Sequence, residues 1–245
     1  MKQSKLGCML LYVAMSFFFT SCGGGDGEKK ISTDSTTVDS TKTAVTPKIT
    51  IITTPQNMMV VTHKVSNFEK WKTSYDAHDS FRLVNGIHSY VIGRGAQDSN
   101  MILVAVKVDD MSKAKSFAKD PSLKQAMQKG GVTGKPSFTF ITMTFQDTAV
   151  ISSGLRSRTT FTVKDWTAWQ KSFQEGEQER LDNGITVRAF GHDADDDKKV
   201  VLVTAISDTT KAYAYWKSDM LKKRRAAGGV VGEPERFVYK VVKRY

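Results

Sequence analysis

Cysteine is nearly missing from this chain: of 245 residues only Cys8 and Cys22 are cysteines, and both fall within the first 22 positions. The rest of the protein therefore holds neither an internal disulfide nor a thiolate-bound metal. Histidine is almost as scarce, with four in all, and no pair has the spacing of a zinc site on one element. Long apolar runs are missing too, apart from Leu6 to Phe19, which excludes a multi-pass membrane protein. A composition of 40% hydrophobic and 25% charged residues likewise excludes disorder throughout. Acidic residues are in deficit, 25 against 36 Lys and Arg, and the resulting +11 invites an acidic partner or an anionic surface.

Residues 1–22 are laid out as an export signal. Lys2 and Lys5 make a basic start, an uncharged run of 14 residues follows, and Thr20-Ser21-Cys22 closes it. Such a run rises about 21 Å as a helix, short of the roughly 30 Å hydrocarbon core, so it reads as a signal and not as a stable span. Phe19-Thr20-Ser21-Cys22 resembles the lipobox of bacterial lipoproteins at Ser21 and Cys22 and departs from it at Phe19, where Leu is usual. The resemblance implies removal of residues 1–21, acylation of Cys22, and a protein exported and lipid-anchored to the cell envelope. Its alternative is ordinary signal cleavage and free secretion.

Residues 22–56 read as a flexible tether of Gly, Ser, Thr and Lys that cannot bury enough surface to order itself. Ile49-Thr50-Ile51-Ile52 alternates like a strand that could dock on the body.

Beyond the tether the chain repeats itself at an offset of 98 residues. Trp71 maps to Trp169, Arg82-Leu83 to Arg180-Leu181, Asn85-Gly86-Ile87 to Asn183-Gly184-Ile185, and Gly93 to Gly191. Gly130-Gly131-Val132 with Gly134 and Pro136 returns as Gly228-Gly229-Val230 with Gly232 and Pro234. From Val65 to Ile141 about a quarter of the positions are identical without one insertion, which marks a duplication. The first copy spans residues 57–146, a linker 147–157, and the second copy 158–245.

Each copy reads as strand, helix, strand, strand, helix, strand. Met58 to Val65 alternates; Asn67, or Asp165, caps a helix whose apolar stripe runs Phe68, Trp71, Tyr75, His78, Arg82. Ile87 to Ile92 forms a second strand, turned by Gly93 to Asn100, and Met101 to Val106 a third, apolar on both faces. Asp110, or Asp208, caps a second helix that Gly130-Gly131 stops, and Phe138 to Phe145 is a fourth strand. The order βαββαβ, twice, is the ferredoxin-like α+β arrangement. A strand apolar on both faces requires cover on both, and two copies placed sheet against sheet supply it. The chain thus resembles the dimeric α+β barrel superfamily, with both halves in one chain as an intramolecular pseudo-dimer. Members of that superfamily include antibiotic biosynthesis monooxygenases, haem-handling enzymes and lactone isomerases, so the resemblance implies a fold and leaves the activity open.

The copies differ in titratable groups. His63, His78 and His88 of the first face Phe161, Gly176 and Thr186 of the second. A space bounded by His63, Trp71, Tyr75, His78 and Arg82 would suit a small apolar ligand with an acidic group, whereas Phe161 should close the matching space in the second copy. For Arg82 and Arg180 the alternative is an ion pair with Asp110 or Asp208; for Trp71 and Trp169 it is plain core packing. Two functional readings stay open: a ligand or partner binder without catalysis, and a monooxygenase-like oxidoreductase or haem-handling enzyme with its site in the first copy. No cofactor is named by any motif.

Three apparent motifs carry less. Gly130 to Pro136 follows a helix and precedes a strand, the reverse of a phosphate-binding turn. Asp193-Ala194-Asp195-Asp196-Asp197 lacks the glycine and distal glutamate of an EF-hand loop. Lys222-Lys223-Arg224-Arg225 in an exported protein reads as a solvated helix face touching anionic lipid at most, and not as a nucleic-acid reader.

Overall fold

The computed structural model describes residues 50–245. The export signal, Cys22 and nearly all of the tether lie outside the described residues. Among the described ones, no helix is long and apolar enough to cross a membrane.

The first repeat runs β2 (Gln56–Val65), α1 (Phe68–Ala77), α2 (Asp79–Leu83), β3 (Ile87–Gly95), β4 (Met101–Val108), α3 (Met111–Phe117), α4 (Pro121–Lys129) and β5 (Val132–Asp147). The second runs β6 (Leu155–Val163), α5 (Trp166–Glu175), α6 (Glu177–Asp182), β7 (Ile185–Asp193), β8 (Lys199–Ile206), α7 (Thr209–Lys217), α8 (Asp219–Ala227) and β9 (Val230–Arg244). Ahead of both, the alternating segment does dock: β1 (Ile51–Ile52) pairs with Gln146 and Asp147 at the end of β5.

Strand order is β5-β2-β4-β3-β9-β6-β8-β7, and β7 pairs back onto β5, so eight strands close into a barrel of two antiparallel ferredoxin-like halves. Two seams join the halves. Val91 to Gly95 of β3 pairs with Tyr239 to Arg244 of β9, and Ile141 to Gln146 of β5 pairs with Ala189 to Asp193 of β7. Side chains alternate across the wall. Met58 and Val60 point into the lumen with Leu103, Ile141 and Met143, whereas Met59, Val61 and Val65 point outward under the helices with Trp71. This accounts for the third strand's two apolar faces: one packs on helices, the other on the opposite half.

Sequence and structure differ at three places. The repeated Gly93 is a strand residue at a seam, not part of a turn; a Cβ there would lie 2.2 Å from the Tyr239 ring of β9. At Gly191 it would lie 2.2 Å from the Thr142 carbonyl oxygen of β5. Only glycine lets the other half's long strand approach so closely. Each expected helix is also broken in two, the first at His78 or Gly176 and the second at Asp120-Pro121 or Ser218-Asp219, where Asp120 and Ser218 cap the new start. Finally, β5 and β9 begin directly after the Gly-Gly stop. Their register slips opposite Thr62 to Lys64 and Thr160 to Thr162, which places Gly134-Lys135-Pro136 and its counterpart in a bulge.

Candidate functional site

His63 sits on β2 between Val61 and Val65, and the period of the strand turns it toward α1. It is 3% exposed, and neither ring nitrogen has a hydrogen-bond partner. Its ring lies 5.4 Å from that of Trp71. Burial pulls its pKa down from 6.5 to about 4, so the imidazole is neutral at ordinary pH.

The rest of the expected constellation lies around the same cavity of ≈ 80 Å³: Trp71, Tyr75, His78 and Arg82 with His63. The hydroxyl of Tyr75 is 2.8 Å from that of Ser89, and burial raises its pKa, an effect that Arg82 opposes. His78 places Nδ1 2.7 Å from the Ser74 carbonyl at the helix break. Arg82 folds back along the break: its guanidinium lies 3.7 Å over the Tyr75 ring, Nη1 donates to the Tyr75 carbonyl at 2.6 Å, and Nη2 donates to Asp79 at 2.9 Å. Its acidic partner is therefore Asp79, three residues away. Asp110 is occupied as the α3 cap, accepting from the Lys113 amide at 2.7 Å. What Arg82 leaves over is Nε, buried and unpartnered. His88 stands apart on the surface with Asp109 at 3.0 Å.

The second repeat repeats this scaffold with other contents. Phe161 replaces His63 yet does not close the space: a cavity of ≈ 90 Å³ remains, lined by Phe161, Trp169, Phe173 and Arg180. Phe161 tilts against Trp169 at 5.5 Å and so occupies the floor without blocking the cleft, while the room beside Gly176 is taken by Arg224 and Arg180, whose atoms would lie 2.8 and 2.9 Å from a Cβ there. Arg180 copies Arg82, stacked 3.8 Å over Phe173 with Nη1 donating to the Phe173 carbonyl at 2.7 Å. The basic cluster of α8 is only half solvated. Lys222 and Lys223 are exposed, but Arg224 and Arg225 turn inward to line this cavity together with Arg236. Arg224 donates to Glu179 at 2.8 and 2.9 Å, and Glu179 also accepts from Tyr215 at 2.6 Å. Burial, with Arg225 close by, lowers the Arg236 pKa to about 10.

Of the acidic turn, Asp195 reaches Lys115 at 2.6 Å and Asp196 pairs with Lys199 at 3.3 Å.

A third space, unexpected from the sequence, lies in the barrel lumen. This cavity of ≈ 80 Å³ is lined on the second repeat's side by Arg156, Arg158, Arg188 and Arg244. A signal was there to be read: Leu155-Arg156-Ser157-Arg158 alternates, so both arginines must face one side of β6.

Neither a protein-family model nor a curated protein matches the sequence. Among solved structures, an anthrone oxidase-like protein superposes with a TM-score of 0.53 at 15% identity, over 79% of this chain and 94% of its own. A candidate monooxygenase from Fusobacterium nucleatum gives 0.52 at 13%, over 77% and 93%. A candidate chlorite dismutase gives 0.50 at 13%, over 78% and 96%. At such identities the likeness is one of fold. The chain is thus a dimeric α+β barrel built from two tandem ferredoxin-like repeats in a single polypeptide.

Proposed function

We propose that this is an exported, lipid-anchored binding protein of the cell envelope whose first repeat takes a small, mostly apolar ligand bearing an acidic or other acceptor group. The observation that carries the reading is His63: a histidine with both nitrogens buried and unpartnered costs stability unless something else occupies it. On the wall of the same cavity Arg82 Nε is an unused donor, and the remaining wall includes Trp71, Phe81, Phe117 and Leu123. A ligand can satisfy His63 and Arg82 Nε together while burying its apolar part. A second, outer groove of ≈ 160 Å³ shares His78, Phe81 and Ala126 with the cavity and brings in Lys129, giving a longer ligand a polar exit.

The competing reading is an oxidoreductase, favoured by the fold it shares with the anthrone oxidase-like protein and the candidate monooxygenase. Against it stands the depressed pKa of His63, which makes a weak general base near neutral pH. Haem, which the superfamily resemblance raised, does not fit this space. A cavity of ≈ 80 Å³ is smaller than the roughly 150 Å³ that holds a benzene, so a porphyrin cannot enter without displacing α1 and α2.

Benzoate, too large for the ≈ 80 Å³ cavity alone and so reaching into the ≈ 160 Å³ outer groove, serves as probe. It should raise the thermal midpoint through mass action, and His63→Phe should abolish that rise with the fold intact. If Phe161→Ala removes the benzoate response and His63→Phe does not, the site belongs to the other repeat. For the anchor, Cys22→Ser should release the protein from the membrane fraction or leave it unprocessed; a normally processed variant that stays in the membrane overturns that part.

A further inference from the structure

The barrel lumen is divided by the duplication. At four equivalent positions the first repeat contributes Met58, Val60, Tyr90 and Gln146, and the second contributes Arg156, Arg158, Arg188 and Arg244. At these positions one wall is uncharged and mostly apolar, and the wall facing it is cationic.

The charge is poorly compensated. Among the described residues lining the lumen, Asp147 is the one acid, and it is taken by Arg188 at 2.5 Å. The second Arg188 nitrogen donates to the Ala149 carbonyl. Arg156 is 4% exposed and uses Nη1 on the carbonyls of Ser153 and Leu155, at 2.5 and 2.9 Å. Arg158 crosses the lumen to the Thr139 hydroxyl at 3.1 Å and leaves Nε buried without a partner. Burial lowers the pKa of both Arg156 and Arg158; Arg244 and Arg188 lower that of Arg156 further, and exposed Glu235 acts on Arg158 only from the flank of β9. A guanidinium offers five donors and does not lose its charge in a protein, so the cluster cannot neutralise itself. Gathering such charges in one half of a lumen is costly unless an anion joins them.

The geometry points to the lumen as a binding site for a short-chain carboxylate, its head held by Arg156 and Arg158 and its hydrocarbon end laid on Met58, Val60, Leu103 and Ile141. The planar guanidinium fork matches a carboxylate, and the opposite wall rewards an apolar tail. A volume of ≈ 80 Å³ restricts that tail to a few carbons. Exposed Arg244 marks the mouth through which it enters.

The test is thermal unfolding of the protein with butyrate, against butan-1-ol, inorganic phosphate and sodium chloride at equal ionic strength. Butyrate should raise the midpoint by several degrees, and the three controls should not match it. Arg158→Val and Arg156→Met, each installing the first repeat's residue, should abolish the rise. Their own midpoints should hold or increase, since a buried cation gives way to an apolar side chain. His63→Phe should leave the butyrate response unchanged, which separates this site from the helix–sheet cavity. A response no larger than that of chloride overturns the assignment, as does a full response in both arginine variants. Phosphate as effective as butyrate would remove the apolar wall's role, and loss of the response in His63→Phe alone would move the carboxylate to the other cavity.

Discussion

The two repeats keep one scaffold and fill it oppositely. Under the helices of the first lies a cavity walled by Val61, Val106, Met127 and Phe138, with His63 and His78; at the positions of the four apolar residues the second has Thr159, Thr204, Arg225 and Arg236. In the lumen the contrast recurs, Met58 and Val60 against Arg156 and Arg158. What the copies share is what the backbone needs: the caps Asn67 and Asp165, the clamping Arg82 and Arg180, the core Trp71 and Trp169, and the seam glycines. A homodimer of this fold must place the same residue on both walls. Joining the halves in one chain lifts that constraint, and the observed substitutions fall where lifting it changes chemistry.

The strongest way to break the comparison is to separate the repeats. Residues 57–149 alone lose both seams and expose the lumen face of β2, β3, β4 and β5, an apolar sheet that does not stand in water. The fragment should aggregate or pair with a second copy of itself, and light scattering decides; a cooperative monomer would contradict the role given to the seams.

Next in size is acid. The pKa of His63 is lowered from 6.5 to about 4, so between those values the unfolded chain binds the extra proton and stability rises with pH. Its burial as a neutral ring is fully tolerated above pH 6.5, and falling pH should remove roughly 3 kcal/mol by pH 4. Urea unfolding across that range should show this slope in the wild type and a flatter one in His63→Phe, whose second-repeat counterpart already is Phe161. Equal slopes in the two proteins would mean that His63 is not buried.

Smallest are the seams taken singly. Gly191→Ala meets backbone at Thr142 and should cost about 3 kcal/mol, whereas Gly93→Ala meets the buried Tyr239 ring, which must turn within its packing, and should cost about 2 kcal/mol. Thermal midpoints of the two variants rank them; a reversed order would mean that Tyr239 is held more rigidly than the β5 backbone.

Much of this was legible beforehand. The 98-residue offset and the two-faced apolar strand dictate a closed pair of ferredoxin-like halves, because periodicity and duplication are local signals that survive without coordinates. The stripe from Phe68 to Arg82 likewise places His78, Tyr75 and Trp71 on the side that His63 faces. Three things were not legible, each for a physical reason. Gly93 reads as a turn because its steric partner, Tyr239, is remote in sequence. Arg82 takes Asp79 over Asp110 because Asp79 stands one turn away in α2 while Asp110 is spent on the α3 cap. Phe161 leaves its cavity open because its ring leans on Trp169 at 60°, a choice of orientation that volume alone does not fix.

The seam between β3 and β9 also bears on time. Val91 pairs with Arg244, about 150 residues further along the chain, and β9 is the last barrel strand to be made. Contacts between such distant segments form late and slowly, since loop-closure entropy is spent before they return anything. The first half must therefore wait, its inner face bare, until the final strand arrives. A chain of this design folds as a whole or stays vulnerable to aggregation, and its rate of closure, more than its final stability, will set how much of it survives synthesis.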